Sequence, residues 1–475
     1  LIKALEDLWR DLAARAALGA RAQHIIREKH APATCAAKYA DAIELVYHRD
    51  RNTLGGMMRS LNVSAMPDDE QMRLAMFMAD NFPPAPRPRQ ILVDVSELVQ
   101  HDVKSLTQRE VRAILREWLE NPPRGFQVEP VYATQDTLGY RYARRFTCRF
   151  LGIPDDWAHD EPTEAWSGDI FFGLDLQQPT QLTQRAYYQA LRRRGVKVYF
   201  LLRDLLPALM PQHFPPSTAK TFRRWLEVAT ELDGAVCVSA TTAAALENWM
   251  QTHSTPRSRP FNIEWSHAGA DLDNTTPSQS LPPEAKTVLA KIGASPTFLM
   301  VSTIEPRKRH DMALQAFELL WQEGLDINLA IVGKQGWMVE ALIERMRSHP
   351  QSGKHFFWLD GISDEYLEKV YRAASCLIAA SEAEGFGLPL IEAARHNLPI
   401  MARDIPVFRE VAGEHAYYFS ATRAEDLANS IKDWLQLAGT GMTPASSAIP
   451  WLTWKESARG LMDKIMKMNP STLRT

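Results

Sequence analysis

Short apolar runs alternate with amphipathic stretches along most of the chain. The first series of runs covers residues 91–95, 128–132, 169–172, 197–202, 235–239 and 261–265. A second series covers residues 298–303, 328–332, 356–359, 376–380, 399–402 and 416–419. Between the runs, apolar positions recur at helical spacing, for example over 108–119, 312–322 and 388–396. This alternation predicts two α/β units, each with a parallel sheet that helices cover on both faces.

The segments outside this alternation place the domain boundaries. Residues 1–50 have helical spacing without a strand, and residues 51–88 are polar and end in a proline cluster that is typical of a linker. We therefore predict N-terminal helices at 1–50, a linker at 51–88, and two Rossmann-like domains at 89–272 and 273–444. A helical pattern within 445–470 is expected to pack back on the first of these domains.

Composition limits the classes of function. The 475 residues carry a formal net charge of −3, which disfavours a nucleic-acid-binding protein. No apolar run approaches the roughly 18 residues that a membrane span requires, and no signal peptide is recognisable. The four cysteines form no C-x-x-C pair, which indicates free thiols in a reducing cytosol. Two basic clusters, at 141–149 and 192–197, are either solvated helix surfaces or contacts with an anionic acceptor or membrane.

The segment that says most about function begins where the apolar run 376–380 ends. Residues 381–389 have the sequence SEAEGFGLP, and Glu392 follows. Gly385 and Gly387 let the backbone approach a ligand closely, and the helix start beyond them offers free N–H groups to a phosphate or a sugar. Glu384 and Glu392 could accept hydrogen bonds from sugar hydroxyls. The alternative is a pair of solvated glutamates at a helix start, which the helix dipole favours in any case.

Two adjacent cations follow the first apolar run of the second domain. Residues 302–310 have the sequence STIEPRKRH, in which Arg307 and Lys308 stand side by side. Cations at the carboxyl end of a strand can stabilise the charge that develops on a diphosphate leaving group. The alternative is a basic loop before a helix. Because such cations can take the place of a metal ion, and no Asp-x-Asp motif convincingly follows a strand, we expect no metal ion and no cofactor.

Together these motifs resemble the retaining GT-B glycosyltransferases of the Glu-x7-Glu mannosyltransferase-like family, family 4. Glu384 and Glu392 match its signature, and the resemblance covers roughly residues 90–468. It implies an α/β GT-B fold in which two Rossmann-like domains face each other across a cleft, here preceded by extra N-terminal helices. It also implies that a hexose passes from a nucleotide diphosphate sugar to a glycan hydroxyl with retention of configuration, without a protein nucleophile.

The resemblance also implies roles for individual residues. Arg307 and Lys308 would hold the diphosphate, Glu384 the hexose and Glu392 the ribose, with Glu384, Arg307 and Lys308 forming the catalytic set. The further donor-binding residues would be Gly385, Phe386, Gly387, Leu388, Thr303, Gly361, Ile362 and Asp364. Asp364 could accept from a guanine edge, or simply be part of an acidic first helical turn.

On the acceptor side, the candidates are Asp204 and Arg203, at the end of the apolar run 197–202. Relatives often carry His or Tyr where this chain has Arg203, and Gly where it has Leu106. These departures keep a non-catalytic interpretation open, in which the chain only binds glycan or positions a tandem partner. A nucleotide-sugar epimerase or hydrolase on the same fold is a further alternative.

The favoured donor is GDP-mannose and the favoured acceptor is a polyprenyl-diphosphate-linked O-polysaccharide, extended by an α linkage. GDP-rhamnose or a UDP-hexose is the alternative donor. The chain resembles the C-terminal module of tandem bacterial O-antigen polymannosyltransferases, so residues 1–50 would be the terminal helices of a preceding glycosyltransferase module. Other polysaccharide-assembly proteins would be partners. The expected location is the cytoplasm, peripheral to the inner face of the inner membrane.

Overall fold

The computed structural model describes residues 2–47, 66–81, 88–101, 106–253, 259–271 and 281–469, and the chain divides into two compact units, 1–87 and 88–475. The described part of the first unit is helical: α1 (Ile2–Arg10), α2 (Leu12–Lys29), α3 (Pro32–Tyr47) and α4 (Asp68–Asn81). Three acidic residues in the first turn of α4 favour a helix start. This part of the predicted linker is therefore a helix, and the proline cluster at 83–86 lies outside the described residues.

The first sheet lies in the second unit and has seven strands in the order β3-β2-β1-β4-β5-β6-β7. The strands are β1 (Arg89–Asp94), β2 (Phe126–Tyr132), β3 (Arg141–Tyr142), β4 (Ile170–Gly173), β5 (Lys197–Leu202), β6 (Gly234–Cys237) and β7 (Asn262–Trp265). All neighbours pair in parallel except the two-residue β3, which pairs antiparallel with β2. Continuous apolar runs such as that of β5 are expected in strands that are buried on both faces.

Helices connect these strands and cover the sheet. They are α5 (Ser96–Gln100), α6 (Leu106–Glu120), α7 (Arg144–Phe150), α8 (Gln178–Thr183), α9 (Arg185–Arg193), α10 (Leu206–Leu209), α11 (Pro216–Thr230) and α12 (Ala240–His253). Trp118 of α6 and Trp225 of α11 are among the largest fully buried side chains. The core of this domain therefore lies between the sheet and the two helix layers.

The second sheet has six strands in the order β10-β9-β8-β11-β12-β13, all parallel. They are β8 (Thr297–Val301), β9 (Asn328–Val332), β10 (Phe356–Leu359), β11 (Cys376–Ala379), β12 (Ile400–Arg403) and β13 (Tyr417–Phe419). The helices are α13 (Ala285–Ile292), α14 (His310–Gln322), α15 (Glu340–Arg347), α16 (Asp364–Ala373), α17 (Leu388–Arg395), α18 (Pro406–Ala412) and α19 (Ala424–Gly439). The two sheets confirm the predicted pair of Rossmann-like domains.

The last helix, α20 (Trp454–Lys467), returns to the first domain. The indole Nε1 of Trp118 donates to the carbonyl of Ala458 over 2.8 Å, and Tyr199 Oη donates to the carbonyl of Met468 over 2.9 Å. The chain thus crosses twice between the two domains. In the described part of the chain, no helix is both long enough and apolar enough to cross a membrane.

Candidate active site

The strand order of the second sheet reverses between β8 and β11, and this point holds the candidate site. Ligands of doubly wound sheets bind beyond the carboxyl ends of the strands at such a reversal. The loops that leave β8 and β11 carry the two motifs found in the sequence, and a cavity lies between them. Its lining includes Ser302, Lys308, Ser381, Glu384, Gly387 and Pro389.

The carboxylate of Glu384 lies between the two predicted cations. Arg307 Nη1 donates to Glu384 Oε2 over 2.9 Å, and Lys308 Nζ donates to Oε1. Ser381 Oγ also donates to Oε1, over 2.7 Å. Burial raises the pKa of Glu384, but the charges of Lys308 and Arg307 outweigh burial and bring the pKa to about 2. The structure therefore brings the three predicted catalytic side chains into direct contact.

Arg307 is held from a second side. Its Nη2 lies 3.1 Å from Glu305 Oε2, and its Nη1 also donates to the carbonyl of Ala383 over 3.1 Å. Glu305 is buried, and burial raises the pKa of its carboxyl although Arg307 and Lys308 lower it. Sequence reasoning missed Glu305 as a site residue, and the signal that could have found it is its position two residues before Arg307.

The loop after β5 supplies the predicted acceptor-side residues. Asp204 is close enough for the charge of Arg307 to lower its pKa, although burial raises that pKa on balance. Its Oδ1 accepts from the N–H of Leu206, which starts α10. The Arg203 side chain bonds to groups of the first domain: its Nε donates to Glu110 over 3.0 Å and its Nη1 to the Leu174 carbonyl over 3.3 Å. Only Asp204 of the two candidates thus joins the charged cluster.

Gly385 and Gly387 are needed for different reasons. A Cβ at Gly385 would lie 2.0 Å from the carbonyl oxygen of Arg203. Gly385 is therefore needed because the backbone of the first domain packs against it, and not because a ligand does. Gly387 has φ of +101°, a conformation that L side chains rarely adopt, and it precedes the first turn of α17. The Phe386 side chain is buried and packs 5.0 Å from the His267 ring, measured between ring centroids.

Glu392 lies one turn into α17 and is buried. Tyr371 Oη donates to Glu392 Oε2 over 2.6 Å. Burial raises the pKa of Glu392, whereas the Tyr371 hydrogen bond and the charges of Arg109 and Arg395 lower it. Sequence reasoning did not find Tyr371, because nothing in the spacing of residues 371 and 392 indicates that two consecutive strand–helix units place them side by side.

The predicted base-binding loop follows β10. Gly361 has φ of +63°, and Ile362 packs against the core. Asp364 lies in the first turn of α16, and its Oδ1 is 2.5 Å from Arg109 Nη2 of the first domain. Thr303 is exposed in the loop after β8, and Leu388 is the first residue of α17. The structure thus divides the predicted residues between a charged cluster around Glu384 and a second group around Glu392.

The two domains contact each other beside this site. Glu410 of α18 accepts hydrogen bonds from the N–H groups of Ala240 and Thr241, both over 2.8 Å, and lies 2.8 Å from His267 Nε2. Burial raises the pKa of Glu410, but these hydrogen bonds bring it to about 2. Ser239 Oγ donates to the Gly385 carbonyl over 2.6 Å. The loop at 381–389 is therefore hydrogen-bonded to the residue that precedes α12.

The sequence is similar to those of known proteins. Residues 283–443 match the family described as glycosyl transferases group 1. The chain is 40% identical over 415 residues to the serotype-specific mannosyltransferase WbdA of Escherichia coli, which covers 86% of this chain and 49% of that protein. The chain therefore spans about half the length of this curated relative.

Two solved structures show the same fold at low sequence identity. Sucrose-phosphate synthase of Thermosynechococcus elongatus superposes with a TM-score of 0.55 at 15% identity, covering 81% of this chain and 100% of that one. HepE of Anabaena, solved with UDP-glucose, gives a TM-score of 0.52 at 14% identity over the same shares. These likenesses confirm the predicted GT-B architecture.

Proposed function

The chain carries a glycosyl transferases group 1 domain at residues 283–443, and we propose that it is a mannosyltransferase of O-antigen assembly. The observation that carries the proposal is the contact of Arg307, Lys308 and Glu384 at the strand-order reversal. The similarity to WbdA supports mannose as the sugar, and we propose GDP-mannose as the donor.

The charged cluster suits departure of a nucleoside diphosphate. Arg307 and Lys308 would neutralise the negative charge that grows on the β-phosphate as its bond to the sugar C1 breaks. Glu384 would accept hydrogen bonds from the hexose hydroxyls and orient C1. The acceptor oxygen would form the new bond on the same face, and its proton would pass to the departing phosphate. We propose retention of configuration on this basis, because the step needs no protein nucleophile.

In the structure, both cations already contact the carboxylate of Glu384. A diphosphate and a carboxylate compete for the same two cations, since each is an anion that accepts charge-assisted hydrogen bonds. Donor binding would therefore replace the carboxylate of Glu384 by phosphate oxygens. The freed carboxylate would then be available to the hexose.

We propose that these cations replace a metal ion on the diphosphate. Transfer is then expected to continue at an unchanged rate in excess EDTA. The measurement is the initial rate of mannose transfer before and after chelation, followed by addition of Mg²⁺ or Mn²⁺. A rate that collapses with EDTA and returns with either metal would overturn this part of the proposal.

The acceptor would be a polyprenyl-diphosphate-linked glycan, which implies work at the inner face of the inner membrane. Several arginines of the first basic cluster are already paired: Arg144 lies 2.7 Å from Glu161, and Arg149 lies 2.9 Å from Asp155. These two ion pairs favour the interpretation of a solvated surface for that cluster. A preceding glycosyltransferase module and other polysaccharide-assembly proteins remain proposed partners.

A donor panel tests the proposed function. The full chain would be incubated with a lipid-linked mannose acceptor and, separately, GDP-mannose, GDP-rhamnose and UDP-glucose, with product detected by mass spectrometry. We expect transfer from GDP-mannose only, and no transfer by Glu384→Gln. Preference for a UDP-sugar would contradict the donor. Rapid epimerisation or complete hydrolysis without acceptor would favour an epimerase or hydrolase, and binding without any turnover a non-catalytic module.

A further inference from the structure

Glu392 has a buried carboxylate whose two oxygens differ in their surroundings. The residue is 6% exposed, and its Oε2 accepts the Tyr371 hydroxyl over 2.6 Å. Within the described part of the chain, Oε1 accepts no hydrogen bond. An ionised carboxylate has about four acceptor positions, so Oε1 can still take a ligand hydroxyl.

Tyr371 is itself held rigidly. It is 1% exposed, and its ring stacks on that of His396 with a centroid distance of 5.3 Å and an interplanar angle of 16°. The tyrosine belongs to α16 and the histidine follows the end of α17. Because both helices fix the ring, its hydroxyl can hold the carboxylate in one orientation.

We propose that Tyr371 is a positioning residue that orients Glu392 so that Oε1 faces the vicinal diol of the donor's ribose. This inference rests on the proposed function, since it takes Glu392 as the ribose ligand. The phenol has one proton and gives it to Oε2, which leaves Oε1 for the ligand. A carboxylate fixed before binding loses less conformational entropy when the diol arrives.

The charges around Glu392 support the same role. Burial raises the pKa of its carboxyl, and the neighbouring charge of Asp364 raises it further. The hydrogen bond from Tyr371 and the charges of Arg109 and Arg395 oppose this rise. Loss of the hydroxyl would remove one contribution that keeps the carboxylate ionised. It would thereby weaken Glu392 as an acceptor as well as loosen its orientation.

The contribution of the ribose diol to binding can be measured by comparing two nucleotides that differ only in that diol. Isothermal titration calorimetry on the full chain would compare GDP with 2′,3′-dideoxy-GDP, or the matching uridine pair if UDP binds in place of GDP. For the unsubstituted chain we expect the dideoxy nucleotide to bind about 10- to 100-fold more weakly than GDP. This loss of affinity corresponds to the loss of hydrogen bonds to a charged group. For Tyr371→Phe we expect GDP to weaken about 5- to 10-fold and the dideoxy nucleotide to remain within twofold.

Tyr366→Phe is the matched control. Tyr366 lies on the same helix, and its buried hydroxyl has no hydrogen-bond partner among the described residues. We expect neither nucleotide to change affinity in this variant. A second variant, Glu392→Asp, withdraws the carboxylate from Tyr371 without altering the tyrosine and should lose the same preference for the diol.

The outcomes separate the inference from the proposed function. If Tyr371→Phe weakens both nucleotides equally, or neither, then Tyr371 has at most a structural role and the inference is overturned. It is also overturned if the unsubstituted chain does not distinguish the two nucleotides, since Glu392 then does not bind the diol. If neither GDP nor UDP binds at all, the proposed function itself fails.

Discussion

At the scale of single residues, Glu384 is the carboxylate that pairs with both cations of the candidate site. Its carboxylate contacts Arg307, Lys308 and Ser381, and its side chain is only 12% exposed. Removing one member of a buried ion cluster leaves the other charges uncompensated, which is more costly than never having buried them. We therefore expect Glu384 to stabilise the unliganded protein and to compete with the diphosphate of the proposed donor.

Glu384→Gln is expected to abolish transfer and yet bind GDP several-fold more tightly, because the two cations no longer share a carboxylate. Titration calorimetry and the transfer assay measure the two effects on the same preparation. The matched control is Glu318→Gln, which breaks the ion pair of Glu318 with Arg345 and its contact with His349 elsewhere in the same domain. Weaker GDP binding by Glu384→Gln would show that the carboxylate assists the diphosphate rather than competing with it.

The depressed pKa of Glu384 gives a dependence of stability on pH. The carboxyl has a pKa of about 2 in the fold against an ordinary value of 4.5, so its contribution is present above pH 4.5 and is lost as the pH falls towards 2. The difference in free energy of unfolding between the unsubstituted chain and Glu384→Gln should therefore narrow over that range. Denaturant unfolding at several pH values measures it, and a constant difference would contradict the burial of this ion cluster.

At the scale of elements, the sequence predicts strands well. The bounds of β5, β9 and β10 agree with the apolar runs 197–202, 328–332 and 356–359, because apolar side chains occupy most positions of each strand. The two-residue β3 is too short to show any periodicity.

The candidate site was predictable only in part. The motifs gave Glu384, Arg307 and Lys308 because each stands in a loop directly after an apolar run. Pairings between distant segments gave no local signal: Asp364 pairs with Arg109 across 255 residues of chain (364 − 109), and Glu392 with Tyr371 across two helices. Such contacts depend on the order of strands in the sheet, which a periodicity along the chain does not reveal.

The contact between α18 and α12 should matter for transfer. Glu410→Gln removes a charged acceptor from the first N–H groups of α12, a loss of about 1–2 kcal/mol of folding free energy by analogy with helix caps. It also weakens the hydrogen-bonded contact between the two domains beside the candidate site. We therefore expect kcat/KM for the donor to fall several-fold. Asp426→Asn is the control, since it caps α19 inside one domain. Equal losses of transfer in both variants would argue against a role for the contact between domains.

At the scale of the whole molecule, α20 ties the end of the second domain to the first. Leu461 of this helix is 3% exposed in the core that it shares with α6. Leu461→Ala is expected to lower the free energy of unfolding by about 2–5 kcal/mol, as buried leucine truncations do. Urea denaturation measures this loss, and a value below about 1 kcal/mol would show that α20 contributes little to the fold.

The central claim is that Arg307 and Lys308 form the diphosphate site, and the affinity of Lys308→Ala for GDP tests it most directly. By titration calorimetry we expect about 10- to 100-fold weaker binding than in the unsubstituted chain, since a charge-assisted hydrogen bond is lost. Lys432→Ala removes a lysine of α19 that pairs with Glu323, and this variant is expected to bind GDP with unchanged affinity. Unchanged GDP affinity in Lys308→Ala, or equal losses in both variants, would contradict the account.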